Sequence, residues 1–492
     1  MTYPPNGSAP PGQATPTMPA VPPPVPPSVP SPRGGAVTPA PPPDGPQRRT
    51  AWAEGVDRLR SAATTEPGRL RVIGAVLAVL VVAFGAVTAW QMTDRSAAAD
   101  DVLNRSQPLT SDAAAVYRSL ADANTAASSG FLAGGQEPKD VIDRYTKDID
   151  TASEKLATAA SNTGTGTPSA AAIAELNRLL PEYTGLIERA RSNNRQGLPL
   201  GGAYLRYAND KMQTQMLPAA EKLYKEENVR LRGDYNSATP YPWAAIALGV
   251  VALGGLGWAQ RRNYRRTNRV FNQGLLGATA ATTVVLLWLV VGHSVARAGL
   301  NDSYEHGVRS LNVLHDARIA SLKARGNENL TLVSRGAETV EVGDKVLDKY
   351  DVAYQEQMKL LGGPKGTDGL LAQALALAND AAGKDPVEKA TGAMKVWQER
   401  HLTARDRDDA GDYQGALDKI IGTAADKPTR VCFDDVDDAL ETALTHEQTQ
   451  FDNAAKDGRG AMTGLAIGAA VLGVLAAAGA VLGIGRRLSE YR

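Results

Sequence analysis

Residues 261–269 read RRNYRRTNR and lie between two long apolar runs, at residues 243–259 and 274–292. The stretch contains no acidic residue and has five arginines: Arg261, Arg262, Arg265, Arg266 and Arg269. Arginine is costly in hydrocarbon, and short arginine-rich segments stay on the cytoplasmic side when a membrane protein inserts. The sequence therefore predicts that residues 260–273 form a cytoplasmic loop between two membrane spans.

Two more apolar runs, at residues 72–91 and 461–485, complete a set of four predicted transmembrane helices. A bilayer core requires about 20 apolar residues, and each run is near that length. Basic residues precede the first run and follow the last one, at residues 51–71 and 486–492. If all four runs span, the basic clusters share one side. We therefore predict a multi-pass plasma-membrane protein with both termini in the cytoplasm.

The two long polar segments, residues 92–242 and 293–460, are extracytoplasmic in this topology. Both are rich in good helix formers and poor in the alternating pattern typical of strands. Their Gly and Pro positions divide each segment into about four helices, which suits a bundle. The predicted fold is an all-α membrane protein with four transmembrane helices and two extracytoplasmic antiparallel helical bundles.

Several helix boundaries follow from punctuating residues. The first bundle helix is predicted to start near Ser111, after Pro108. The second bundle is predicted to have a helix over about residues 340–361, an interruption near residues 383–386 and another at Lys427-Pro428. Glycines at packing spacing in the last span predict close contact between helices. These glycines are Gly464, Gly468, Gly479 and Gly483.

The N-terminal segment, residues 1–50, contains eighteen prolines. Proline lacks a main-chain donor and restricts φ, so neither a helix nor a sheet ladder suits this composition. We predict a disordered cytoplasmic tail with polyproline II character, followed by the basic juxtamembrane segment at residues 51–71.

Composition excludes several classes of function. The formal net charge is zero, which implies no nucleic-acid partner. The chain has no phosphate-binding glycine loop and no histidine or cysteine set with metal-ligand spacing. The central turns of the spans carry no charged residue, although ion pathways normally need such groups. The sequence therefore predicts a protein that is not an enzyme and has neither a metal site nor a cofactor.

Two groups of residues are candidate contact sites. In the first bundle, aromatic rings and guanidinium groups could clasp a ligand carboxylate between neighbouring helices. This group is Tyr117, Arg118, Tyr204, Arg206 and Tyr207. Ordinary core tyrosines and surface arginines are the alternative interpretation of the same residues. The second group is the five arginines of residues 261–269, which could contact a cytoplasmic partner or lipid headgroups.

Residues 130–135 (GFLAGG) and 216–224 (MLPAAEKLY) resemble segments of the four-helix-bundle sensor domains of bacterial chemoreceptors. No HAMP, methyl-accepting or kinase domain follows any inward span. Two outer bundles, four spans and a proline-rich arm together resemble the GlnX-like family of actinobacterial membrane proteins. This resemblance implies an amino-acid-binding lipoprotein as the outer partner and the Ser/Thr protein kinase G as the inner one. It carries over no site residue.

The predicted function is that of a transmembrane signalling adaptor. It would relay the status of an extracytoplasmic amino acid, or of a solute-binding protein, to a cytoplasmic partner such as a Ser/Thr kinase. The alternative is a structural envelope scaffold without ligand-dependent output. Large outer segments, uncharged spans and the lack of an inner catalytic domain favour the adaptor.

Overall fold

The computed structural model describes residues 66–267, 272–364 and 368–489. The proline-rich tail and Arg269 lie outside the described residues, as does the first part of the juxtamembrane segment. The described chain is almost entirely helical, which confirms the predicted all-α class.

The first half of the chain contains seven helices. They are α1 Glu66–Asp101, α2 Gln107–Leu132, α3 Lys139–Asn162, α4 Pro168–Arg195, α5 Leu200–Lys211, α6 Leu217–Ala238 and α7 Trp243–Thr267. A π-helical turn joins α1 to α2 at Val102–Ser106, and another joins α5 to α6 at Met212–Met216. Because α7 continues to Thr267, much of the basic segment predicted as a loop is helical.

The second half repeats this plan with more interruptions. Its elements are α8 Gln273–Asp302, α9 Arg309–Ser334, β1 Thr339–Val342, β2 Lys345–Asp348, α10 Lys349–Gly362, α11 Leu370–Leu377, α12 Ala381–Asp409, α13 Tyr413–Ile421, a 3-10 turn Ala424–Asp426, α14 Thr429–Gly460 and α15 Leu465–Ser489. A π-helical turn at Ser303–Val308 joins α8 to α9.

The two helices that lead from the spans into the bundles are continuous. The chain runs from α1 into α2 without a break, so the predicted helix start near Ser111 was wrong. Pro108 is accommodated at the second residue of α2, directly after a π-helical turn. A π turn widens the local backbone and relieves the clash that a proline ring makes with the preceding turn. Pro218 follows the second π turn in the same way.

The two helices that return to the spans are interrupted. Between α6 and α7 the chain leaves the helix at residues 239–242, where two prolines remove backbone donors. Between α14 and α15 the break contains Gly464, whose φ of +78° favours glycine. Gly464 therefore lies in the turn directly before α15 and, contrary to our prediction, does not belong to the set of packing glycines.

A β-hairpin replaces the start of the helix predicted over residues 340–361. Val340 pairs with Leu347 and Val342 with Lys345, around a two-residue Gly343-Asp344 turn. Gly343 has a φ of +61°, as the tight turns of hairpins require. Helix α10 begins only at Lys349, because the Asp348 carboxylate caps it by accepting from two main-chain N–H groups.

Two further predicted breaks have different outcomes. The Lys427-Pro428 interruption is confirmed, because α14 begins at Thr429. The predicted break at residues 383–386 was wrong, since Pro386 lies inside α12 near its start. The chain breaks earlier, at residues 378–380, where Asp380 accepts a hydrogen bond from the Gly383 N–H at 2.9 Å and caps α12.

Four helical stretches are long and apolar enough to cross a membrane. They contain α1, α7, α8 and α15, which pack together through small residues. A Cβ on Gly274 would lie 2.6 Å from the Gly483 Cα, and one on Gly85 would lie 3.2 Å from the Gly473 Cα. Such close approach requires glycine. Valine, leucine and tryptophan side chains cover the outer surfaces of these helices, and this indicates a multi-pass membrane protein.

The two polar segments share a single hydrophobic core. Buried residues of α2, α3, α4, α5 and α6 form one continuous cluster with those of α9, α10, α11, α12 and α14. Helices α2 and α9 are buried along most of their length, and they contact each other. The two halves therefore meet along these two helices, and the contact brings residues far apart in sequence together.

Candidate functional site

The contact between α2 and α9 is polar, although it is buried. The Thr125 hydroxyl donates to the Leu322 main-chain oxygen at 3.1 Å, and the Asn329 amide donates to the hydroxyls of Ser128 and Ser129. Gly326 permits the approach, because a Cβ there would lie 3.3 Å from the Thr125 Oγ1. We call this contact the polar seam. Its members are small hydroxyl, amide and glycine residues.

A cleft of about 380 Å³ opens beside the polar seam, and we call it cleft A. The residues that line it come from both halves and include Thr125, Arg144, Arg430, Phe433 and Asp434. The Arg144 guanidinium lies 5.4 Å from the centre of the Phe433 ring, within cation–π range.

Arg144 connects the two halves by ion pairs. Its Nε donates to Asp122 at 2.9 Å, and its two terminal nitrogens lie 3.4 Å from Asp434 and 3.7 Å from Asp437. Asp437 also accepts two hydrogen bonds from Arg318, at 2.6 and 3.0 Å. The charges thus form a network that joins the two halves, and its Asp122 and Asp437 carboxylates are largely buried. Breaking an ion pair of buried groups costs more free energy than breaking an exposed one.

A carboxylate pair lies at the inner end of this network. Burial raises the pKa of Asp148 to about 8, and the neighbouring Asp122 carboxylate contributes to the rise. The buried Asp148 Oδ2 has no hydrogen-bond donor among the described residues. With this pKa, Asp148 is mostly protonated at neutral pH, and its carboxyl O–H can donate to the Asp122 carboxylate.

A second buried network surrounds Glu328 on α9. Its carboxylate accepts from Arg325 at 2.5 Å, from the Trp397 indole at 3.1 Å and from Thr429 at 3.0 Å, and it contacts the His401 Nδ1 at 3.0 Å. His401 also contacts Asp351 at 3.0 Å. Burial opposes charge on the imidazole, but the two carboxylates outweigh it and raise the pKa of His401. This network ties α9 to α12 and α14.

Two more clefts flank α9 and share Lys323 and Gln357. Cleft B, of about 450 Å³, is lined by α5 and the π turn after it on one side, and by α9, Glu338 and α10 on the other. Cleft C, of about 420 Å³, is lined by α2, α6, α9, α10 and α11. Lys323 and Arg325 are two residues apart, so they point to opposite sides of α9. Clefts B and C therefore lie on the side of α9 away from cleft A.

The structure does not gather the five candidate ligand residues into one site. Arg206 and Tyr207 line cleft B, whereas Tyr117 lines cleft C. Tyr204 packs against the core, with the Arg189 guanidinium 6.0 Å from its ring centre. Arg118 is partly buried on α2, where its charge acts on Asp148 and His315.

Sequence reasoning missed the residues that surround these clefts. Lys323, Asn327, Arg144 and Glu328 were not singled out, because a polar residue beside the apolar stripe of a helix usually lies on its solvated face. Among the signals available was the density of polar residues on α9 between apolar ones, which fits neither a solvated face nor an apolar core.

The basic segment is described in part. Arg261, Arg262 and Arg265 lie on the final turns of α7, and the Arg262 guanidinium lies 5.5 Å from the Trp258 ring centre. The side chain of Arg266 and the whole of Arg269 lie outside the described residues. Within residues 66–267, 272–364 and 368–489, no group of three or more His, Cys, Asp and Glu side chains could hold a metal ion.

Comparison with known proteins finds one region of similarity. Residues 98–236 match a family described as an actinobacterial sensor domain. This range starts at the end of α1 and covers the helices of the first half up to α6. No curated protein and no solved structure matches the chain. The match suggests a signalling role without catalysis and supports the resemblance to sensors. It does not extend to the second half.

Proposed function

We propose that this protein is a transmembrane signalling adaptor. Its helical bundles recognise an amino acid or a solute-binding protein outside the cell. The basic end of α7 and the N-terminal arm engage a cytoplasmic partner, for which a Ser/Thr kinase is the candidate. The arginine clusters support this orientation, because they favour the cytoplasmic side.

The observation that carries the proposal is the continuity of two helices. One runs from α1 through a π turn into α2, and the other from α8 through a π turn into α9. A helix transmits displacement along its axis because each turn is hydrogen-bonded to the next. A shift of α2 or α9 within the bundle therefore displaces α1 or α8. The helices that return to the spans are interrupted between α6 and α7 and between α14 and α15. They therefore restrict these displacements less than continuous helices would.

The polar seam supports the same mechanism. Signalling between two helices requires two arrangements of similar free energy. Hydroxyl, amide and glycine contacts can exchange partners over a small shift, whereas interlocked apolar side chains resist one. The seam joins the two continuous helices to each other, so a change at either half reaches both.

Photo-crosslinking in cells tests both ends of the proposal. Probes are placed at exposed Val229 on α6 and exposed Leu402 on α12, and at Arg265, and captured proteins are identified by mass spectrometry. We expect a solute-binding protein at the bundle positions and a recurrent kinase at Arg265. Capture of only wall-associated or structural proteins would support the envelope scaffold and overturn the adaptor.

A charge-retaining variant provides the matched control. Replacing Arg261, Arg262 and Arg265 by lysine keeps the positive charge that orients the spans, but removes the planar fork that pairs with carboxylates and phosphates. We expect normal insertion and reduced partner capture. Replacement by glutamine removes both properties. Undiminished capture in the glutamine variant would show that the basic end is not the contact surface.

A further inference from the structure

The side chains that line cleft B carry one more positive charge than negative charge, which suits a ligand with a single negative charge. Its lining includes three cationic side chains, Arg206, Lys323 and Lys349, and two carboxylates, Asp210 and Glu338. Its remaining polar wall consists of amides and hydroxyls. A volume of about 450 Å³ falls within the range of small-molecule sites. The cleft is therefore large enough for a small organic anion.

Lys323 lies between cleft B and cleft C and lines both of them. It is partly buried on α9 and forms no ion pair with the described residues. Its ammonium group lies 5.5 Å from the Tyr117 ring centre, on the side of cleft C, where the carboxylates of Glu221 and Asp316 partly compensate its charge. Burial lowers the pKa of Lys323. A bound anion would compensate the ammonium group for its lost hydration.

Asn327 lies one helical turn further along α9 and faces the same cleft. The residue is only 8% exposed, and its side-chain amide has no hydrogen-bond partner among the described residues. The amide reaches the solvent of the cleft, so its donors are available to a ligand there. Residues at positions i and i+4 lie on one helical face, and Lys323 and Asn327 therefore both border cleft B.

Arg206 faces these donors from α5. Its nearest carboxylate is Glu338, at 3.8 Å, which is too long for a hydrogen bond. The guanidinium donors therefore remain available to a ligand. Because Arg206 lies on the first half and Lys323 on the second, a molecule held between them would bridge the two halves.

We propose that cleft B binds a small hydrophilic carboxylate. Lys323, Asn327 and Arg206 hold the carboxylate group, and the amides of Asn209, Gln213 and Gln357 hydrogen-bond the remaining polar groups. Asp210 and Glu338 oppose a doubly charged anion, which favours a carboxylate over inorganic phosphate. This site gives the proposed sensor a ligand, and it places that ligand against α9, one of the two continuous helices.

The test uses the full chain purified in detergent or nanodiscs. The thermal unfolding midpoint is measured with L-lactate, D-gluconate and zwitterionic amino acids, each at about 10 mM, a concentration that fills even a millimolar site. Neutral D-glucose and inorganic phosphate are the reference compounds. We expect at least one carboxylate to raise the midpoint, and neither reference to do so. If no carboxylate produces a shift, the proposal is overturned.

Three variants locate the effect. Lys323→Met removes the ammonium group, and Asn327→Asp keeps the side-chain shape but adds a repelling charge. Both should weaken carboxylate binding by about tenfold or more. Lys389→Met, at an exposed position on α12, is the matched control and should bind as the wild type does. Equal binding by Lys323→Met and wild type would place the ligand elsewhere and overturn the proposal.

The Asn327→Asp variant protects the test against misfolding. If Lys323→Met unfolds, the isosteric variant still reports on the site. Failure of this binding test is distinguishable from failure of the adaptor function, because partner capture at Arg265 does not depend on which ligand fills cleft B. Partner capture without carboxylate binding would retain the adaptor and reject this site.

Discussion

The hydroxyl of Thr125 on α2 donates to the main-chain oxygen of Leu322 on α9 at 3.1 Å, and it shares its proton with the Ala121 oxygen of its own helix at 3.0 Å. Thr125 and Leu322 lie 197 positions apart in the sequence, one in each half of the chain. The bond joins the two helices that continue into α1 and α8. It lies in the polar seam, the contact through which either half can influence the other.

Thr125→Val should weaken the seam without changing its shape. Valine is close to threonine in size but cannot donate, and a hydrogen bond of this kind contributes about 1 kcal/mol. We expect a lower unfolding midpoint for the full chain. Thr146→Val is the control, because its hydroxyl donates only to a carbonyl of its own exposed helix. An equal fall of the unfolding midpoint in both variants would show that the bond to Leu322 stabilises the fold no more than a bond within an exposed helix.

Arg144→Met should destabilise the fold strongly. The variant leaves the buried Asp122 and Asp437 carboxylates with less compensating charge, and breaking a buried pair costs about 3 kcal/mol. Chemical denaturation of the full chain measures the loss. Arg178→Met is the matched control, because Arg178 forms ion pairs with Glu175 and Glu182 on an exposed surface and should lose under about 1 kcal/mol. Similar losses of unfolding free energy in both variants would show that the ion pairs of Arg144 stabilise the fold no more than exposed pairs do.

Because of Asp148, we expect the free energy of unfolding to fall as the pH rises. Its pKa is about 8 in the fold, against an ordinary value of 3.8, so the folded chain binds more protons than the unfolded chain between these limits. Stability is therefore lost as pH rises through this window. Asp148→Asn carries a permanent donor for Asp122, and we expect it to exceed the wild type by at least about 1 kcal/mol near pH 8.

The measurement is the unfolding midpoint near pH 5 and near pH 8. The difference between the two should be smaller in Asp148→Asn than in the wild type. Asp150→Asn, at an exposed position on the same helix, is the control and should keep the wild-type difference. If Asp148→Asn shows the same difference in midpoint between pH 5 and pH 8 as the wild type, Asp148 is not the group that binds the proton.

Gly274→Ala should force apart α8 and α15, two of the candidate membrane spans. The added Cβ would meet the Gly479 main-chain oxygen and would lie 2.6 Å from the Gly483 Cα, so the backbone must shift. Overpacking of this kind costs about 1–3 kcal/mol. Gly277→Ala on the same helix meets nothing within 4 Å and is the control. The midpoint in detergent should fall only for Gly274→Ala, and equal midpoints would argue against the close contact.

The helical class and the four apolar stretches could be predicted from the sequence because both depend on local composition. Apolar runs of about bilayer length remain visible without knowing what they contact. The Lys427-Pro428 break was predicted for the same reason, since proline limits its own neighbourhood. The orientation of the spans rests on the arginine clusters and remains a prediction.

The errors in the predictions had different causes. Pro108 normally signals a helix start, but a π turn lets the helix continue through it. The hairpin at Thr339–Asp348 was missed, although its valines around a Gly-Asp turn are typical of one. Gly464 has packing spacing, yet its positive φ assigns it to a turn.

The sequence by itself determined which segments are helical and which are apolar enough to cross a membrane, because these properties arise from neighbouring residues. Only the tertiary structure decided that α2 and α9 meet, and therefore which polar side chains are buried. Helical spacing places Lys323 and Asn327 on one face, but it does not reveal whether that face meets water or a cleft. That distinction depends on residues more than 100 positions away, which approach only when the chain folds.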